Sequence, residues 1–132
     1  MSNGNEDNAG RGKPYDLEER TALFGEAVIA FAKAVPRDVV TLPLIGQVVR
    51  SSTSVGANYC EADDAVSKKE FRKNIGTCKK EARETKHWLR MIVAAEAGLA
   101  ARPLWQEAKE LHSSLPRSSA AVDRPRRFGI RH

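Results

Sequence analysis

The sequence predicts an all-α protein, an antiparallel up-down-up-down four-helix bundle. Three observations carry this expectation. Apolar residues recur with a period near 3.6 in four successive segments, and none shows the strict alternation of a strand. Prolines, a glycine and capping residues separate the segments by short connections, which makes consecutive helices antiparallel neighbours. The 132-residue chain is 41% hydrophobic, 30% charged and only 6% aromatic, which suits one modest core under a charged surface. The organisation expected is a disordered N-terminal segment at 1–14, the bundle at 15–116 and a flexible basic tail at 117–132.

Met1 to Pro14 is polar, rich in Gly and Asn, and has little to bury. The first helix is expected from about Asp16 to Val35. Asp16 is its N-cap, and Glu18 and Glu19 sit in the first turn, where the helix dipole favours negative charge. Phe24, Val28, Phe31 and Val35 form one apolar stripe, and Pro36 ends the helix. The second helix begins near Thr41, with Pro43 in its first turn, and continues to about Ala65. Leu44, Val48, Val55, Tyr59, Ala62 and Val66 share a face, with Ser51 or Ser52 filling the gap in the repeat. The stretch RSSTSVGAN within it is a poor helix by propensity. Its small residues predict close approach of a neighbouring backbone.

The third helix has the clearest start. Ser67-Lys68-Lys69-Glu70 is a capping box, in which Ser67 caps and Glu70 reaches back. Phe71, Ile75, Cys78, Ala82, Leu89 and Ile92 keep the helical period to about Ala97, and Gly98 is the natural residue to end it. The fourth helix starts near Pro103 and carries Leu104, Ala108, Leu111 and Leu115 before Pro116. The remainder, RSSAAVDRPRRFGIRH, is basic and weakly periodic.

The net charge is +5, with a pI near 9.5. That balance is compatible with nucleic acid, an anionic protein or a membrane surface and selects none of them. No apolar run approaches the roughly 20 residues of a membrane span, and Met1 to Pro14 has no apolar signal core, so the protein reads as cytoplasmic. Cys60 and Cys78 are then reduced thiols. With the hairpin turn near Val66, Cys60 pairs with about residue 72, leaving Cys78 about 9 Å further along its helix, too far for a disulfide. No cofactor and no metal is expected. Glu-x-x-His occurs once, at Glu84 to His87, whereas di-metal bundles take that motif from two helices together with two further Glu.

Two surfaces stand out. A polar stripe of Gln47, Arg50, Ser54, Asn58 and Glu61 runs beside the apolar face of the second helix at steps of three and four. Asn74, Thr77, Glu81, Glu84 and Trp88 form a similar stripe on the third. Antiparallel pairing sets Asn58 opposite about Asn74, Ser54 opposite about Cys78, and Arg50 within reach of Glu81 or Glu84. This seam reads as a register-setting hydrogen-bond network or as a ligand or partner contact. The second surface is basic: Lys69, Arg72, Lys73, Lys79, Lys80, Arg83, Lys86 and Arg90 share the outer side of the third helix. Arg117, Arg124, Arg126, Arg127 and Arg131 add charge in the tail. Interleaved Glu70, Glu81 and Glu84 reduce the net effect, through pairs such as Lys80–Glu84. The face reads as a solvated surface or as a track for phosphates, salt-sensitive and without sequence preference.

The central hairpin resembles a known family. The pattern Gln-x-x-Arg-Ser-x-x-Ser-x-x-x-Asn-x-x-Glu is met by Gln47, Arg50, Ser51, Ser54, Asn58 and Glu61. Ser67 to Phe71 supplies Ser-Lys-Lys-Glu-Phe. Lys80, Glu81, Ala82, Glu84, Thr85, Trp88 and Leu89 supply Lys-Glu-Ala-x-Glu-Thr-x-x-Trp-Leu. These residues resemble the four-helix bundle family named for proteins encoded in intervening sequences of bacterial 23S ribosomal RNA genes. The chain departs from many relatives after Asn58, where it has Tyr59-Cys60-Glu61-Ala62 in place of Ile-Ala-Glu-Gly. The resemblance implies a homo-oligomer, often a ring of five. It also implies kinship with accessory proteins of diversity-generating retroelements, which associate with a reverse transcriptase and nucleic acid. Self-assembly is expected from the residues too, because Ile45, Val49, Trp88 and Trp105 exceed what one short core readily buries.

Three functions are expected in order. The first is a non-enzymatic, self-assembling scaffold that associates with RNA or DNA through the basic helix. The second is a protein-binding adaptor, for a reverse transcriptase or a ribosomal partner, without direct nucleic-acid contact. The third is an enzyme using Glu61, Glu81 and Glu84.

Overall fold

The computed structural model of the chain describes residues 17–116. Among these residues it is all-helical, with four helices and no strand. The helices are α1 (Leu17–Ala34), α2 (Thr41–Asp63), α3 (Lys68–Ala95) and α4 (Arg102–Ser114). All four contribute to a single buried core. The expected Asp16 cap, N-terminal segment and arginine-rich tail lie outside the described residues.

In α1 the expected Phe24 and Val28 are buried, Val35 is buried just past the helix, and Phe31 is half-buried. Pro36 cannot continue the helix. The start of α2 is fixed by a residue that the sequence reading passed over. Asp38 Oδ1 accepts from the backbone N–H of Val40 and of Thr41, both at 2.8 Å. In return Thr41 Oγ1 accepts from the Asp38 N–H at 2.9 Å and donates to the Pro36 carbonyl at 2.6 Å. The reciprocal Asp38-x-x-Thr41 bonds satisfy donors that a helix start leaves open.

Along α2 the expected Val48, Val55, Tyr59 and Ala62 are buried, and both Ser51 and Ser52 fill the gap. Val66 does not share that face: α2 ends at Asp63, and Val66 is 73% exposed in the turn. The Ser/Thr-rich stretch is helical despite its propensity. Its hydroxyls bond back to carbonyls of the preceding turn, as Thr53 Oγ1 does to Val49 O at 2.8 Å. The predicted close approach is with α1. A Cβ placed on Gly25 would lie 3.6 Å from Ser52 O, and one placed on Gly56 would lie 3.5 Å from the Thr21 carbonyl.

α3 opens as the capping box requires, with Ser67 Oγ accepting from the Glu70 N–H at 3.1 Å. The Glu70 carboxylate reaches back one residue further than expected, to the Val66 N–H at 3.3 Å. Phe71, Ile75, Cys78, Ala82, Leu89 and Ile92 are all buried, with Thr85 between them. The helix stops at Ala95 rather than Ala97, and the Glu96 N–H closes it onto Ile92 O. Gly98 does not end it in a left-handed conformation, because no described glycine has positive φ. α4 begins at Arg102 with Pro103 in its first turn and buries Ala108 and Leu111, followed by Leu115. Arg20 ties α1 to α4: its Nε donates to Glu107 Oε2 at 2.8 Å and its Nη2 to Glu107 Oε1 at 3.1 Å, a two-pronged bond.

Ile45, Val49, Trp88 and Trp105 are packed, half-buried, against the core. The large apolar residues that the helices leave exposed are others, among them Leu23 on α1 and Val39, Val40 and Leu42 around the start of α2. No described helix is long and apolar enough to cross a membrane.

Candidate functional site

The polar seam forms where α2 meets α3. Arg50 Nη1 donates to Glu81 Oε1 at 3.2 Å, and Arg50 Nη2 is hydrogen-bonded to Glu84 Oε1. Both expected partners are therefore engaged by one guanidinium. Gln47 Oε1 accepts from Arg50 Nε at 3.1 Å and steadies the fork. The Arg50 hydrogen bond holds the Glu84 carboxyl below the ordinary carboxylate range, and Glu84 in turn raises Arg50. Beneath this ion cluster, Ser51 Oγ and Thr85 Oγ1 meet at 2.8 Å in the core, and Thr85 donates to Glu81 O at 2.8 Å. The Cys78 thiol donates to Val55 O at 3.5 Å. Arg50 and Ser51 thus meet residues 81–85 of α3, and Val55, a turn further along α2, meets the earlier Cys78, so these groups mark how the two helices are paired.

Ser54, Asn58 and Glu61 do not join the cluster. Asn58 turns back along its own helix and donates to Ser54 O and Ser54 Oγ, both at 2.9 Å. Glu61 is exposed and lies about 16 Å from Arg50 along α2 at 1.5 Å per residue. Glu61, Glu81 and Glu84 thus do not form one carboxylate group. Glu84 is shifted downward, opposite to a carboxylic acid poised to give a proton near neutral pH.

The basic face is sorted by the packing of α4. Lys79 Nζ donates to His112 O at 2.6 Å and to Leu115 O at 3.4 Å, closing the C-terminal end of α4. Lys86 Nζ lies 5.2 Å from the centre of the Trp105 ring, a cation–π contact. These two cations belong to the α3–α4 contact. Lys69, Arg72, Lys73, Lys80, Arg83 and Arg90 remain exposed. At 100° per residue they fall on the side of α3 opposite Phe71, Cys78 and Leu89.

The acids expected among them point elsewhere. Glu81 and Glu84 are held by Arg50 of α2, so Glu84 does not pair with Lys80. Glu70 is turned to the Val66 N–H. The outer ridge of α3 is therefore positive along its length, with no carboxylate of its own helix among the cations. The field reaches His112, whose imidazole pKa is lowered by burial and then by the charges of Lys79, Lys86 and Arg83.

The sequence reading missed a cavity where α3 meets α4. Leu89, Val93, Leu99 and Trp105 form its apolar walls, and Arg90 and Arg102 stand in its lining. The only signal for it in the sequence is a tryptophan three residues after Arg102 at a helix start.

Both cysteines are free, with Cys60 exposed and Cys78 buried. Burial pushes the Cys78 thiol up to about 12. Among the described residues no group of three His, Cys, Asp or Glu side chains is placed to hold a metal ion.

Searches of curated proteins and of solved structures find no match to this chain. The model of one family, the 23S rRNA-intervening sequence protein, matches residues 15–115. The match spans all four helices, including the hairpin that carries the Arg50 cluster. The chain belongs to the 23S rRNA-intervening sequence protein family.

Proposed function

We propose that this chain is a non-enzymatic scaffold of the cytoplasm: an antiparallel up-down-up-down bundle that assembles into a ring-like homo-oligomer, a pentamer, and associates with RNA or DNA through the outer ridge of α3. The observation that carries the nucleic-acid reading is the withdrawal of Glu81 and Glu84 from that ridge by Arg50. It leaves Lys69, Arg72, Lys73, Lys80, Arg83 and Arg90 as exposed cations. Over the 22 residues from Lys69 to Arg90 the ridge is about 32 Å long, which spans many phosphates of a single strand or a duplex.

The ring and its number rest on the family resemblance. Self-assembly is further supported by Leu23, Ile29, Val39, Val40 and Leu42, large apolar side chains outside the core. Val39, Val40 and Leu42 lie next to one another in the chain, and contiguous exposed apolar surface marks contact sites.

The test is binding to a labelled duplex as salt is raised, for wild type and for a Lys73→Gln/Lys80→Gln/Arg83→Gln variant. Six phosphate contacts per protomer give a logarithmic salt slope near −5, roughly a thousandfold loss between 50 and 200 mM. The variant is expected to lose about half of that slope. Equal affinity and slope in the two proteins would refute the ridge and leave the adaptor reading. Light scattering that reports only monomer at micromolar concentration would refute the assembly.

A further inference from the structure

The basic ridge of α3 does not end in open solvent. Its last member, Arg90, lines the cavity between α3 and the start of α4. That cavity is about 320 Å³, at the small end of ligand pockets. Leu89, Val93, Leu99 and Trp105 make its walls apolar, and Arg102 stands in the lining with Arg90. Two further cations attend the indole: Lys86 Nζ at 5.2 Å and Lys109 Nζ at 5.7 Å from the ring centre. The first turn of α4 borders the same space, so the positive end of its dipole adds to the field.

An apolar slot beside an aromatic ring, with cations around it, suits a group that is flat and apolar on its faces and carries a negative charge at its edge. A lone carboxylate or phosphate would leave the apolar walls unused. A wholly apolar group would have to sit beside Arg90 and Arg102. An unpaired nucleotide satisfies both features, since every base has a π-face and is tethered to phosphate.

We propose that this cavity receives a single unpaired base of a nucleic-acid strand whose phosphates run along the α3 ridge. The base lies against Trp105, and Arg90 and Arg102 hold the phosphates next to it. This rests on the ridge reading above and deepens it. A duplex keeps its bases stacked and engages the ridge alone, whereas a single strand engages ridge and cavity. A stacked base is worth more than an exposed cation–π contact, so it can displace the exposed Lys109 from the indole. The protein thereby prefers single strands over duplexes of equal charge, with little preference among bases.

The test compares three probes on the full chain by fluorescence anisotropy: a labelled 12-residue strand of deoxythymidine, an abasic strand of the same length and charge, and a 12-base-pair duplex. The thymidine strand is expected to bind at least about fivefold more tightly than the abasic strand, the lower limit for one stacked base. Trp105→Phe is expected to keep most of that difference and Trp105→Ala to abolish it, with duplex affinity held within twofold. Because the abasic comparison uses the wild-type protein, a folding defect in Trp105→Ala does not confound it. Equal affinity for thymidine and abasic strands overturns the base site. If both strands still weaken together in Lys73→Gln/Lys80→Gln/Arg83→Gln, the ridge survives that result. If no probe binds, ridge and cavity fall together.

Discussion

Lys79 offers the sharpest separation of structure from function on α3. It sits among cations on the helix surface, yet its ammonium caps the end of α4 through His112 O at 2.6 Å and Leu115 O at 3.4 Å. Lys79→Met keeps the apolar stem and removes the donor. A hydrogen bond from a charged donor contributes about 1.5–3 kcal/mol, and the longer second bond adds little. Relief of repulsion with Arg83 and Lys86 offsets part of this, so the expected loss is about 1.5 kcal/mol. In a domain of this size that lowers Tm by about 6–12 °C. At 13 residues α4 is too short to be stable alone, so its amides should exchange faster first. Lys80→Met, one residue along and exposed, is expected to stay within about 0.5 kcal/mol of wild type. Urea melts followed by circular dichroism measure both. The ranking reverses for nucleic acid: Lys80→Met weakens binding and Lys79→Met does not. If the two variants melt together, or if Lys79→Met alone weakens binding while remaining as stable as wild type, the assignment of Lys79 to α4 is refuted.

Other expectations follow from single contacts. Gly46 is mid-helix with open space around its Cβ position, so Gly46→Ala should stabilise by about 0.5–1 kcal/mol. Gly56→Leu should instead destabilise, because its Cβ would already touch the Thr21 carbonyl at 3.5 Å, leaving the branched side chain little room toward α1; a stability at or above wild type would contradict the close α1–α2 approach. The Asp38 carboxyl is lowered by its bonds to the Thr41 and Val40 N–H groups. A depressed folded-state pKa contributes stability above the unfolded value, near pH 4, and loses it as pH falls. The Tm gap between wild type and Asp38→Ala should therefore be open at pH 7 and close on acidification below pH 4; a gap constant to pH 3 would count against the cap. A thiol-reactive disulfide reagent should modify Cys60 in the folded protein and reach Cys78 only in denaturant. Two equally fast thiols in native buffer would contradict the burial of Cys78.

What the chain determines by itself is the set of helices and the face each one buries. Periodicity is a property of one helix, so Phe71, Ile75, Cys78, Ala82, Leu89 and Ile92 are legible without knowing what covers them. The start of α3 at Ser67 is equally local, because a cap bonds within its own turn. Asp38 was legible in principle through its Asp-x-x-Thr spacing. The pairing of Arg50 with Glu81 and Glu84 was also within reach, because the short connection between α2 and α3 limits which of their residues can face each other. The side chains on the flanks of the buried stripes are a different matter. Lys79 and Lys80 are adjacent cations in the sequence, and only the position of α4 makes one a helix cap and leaves the other in solvent. Arg20 finds Glu107 across 87 positions of chain, which no spacing rule anticipates. Helix order and packing angle decide which flank meets which neighbour. They therefore decide that the acids of α3 face Arg50, that its outer ridge is left positive, and that Arg90 and Trp105 share a cavity.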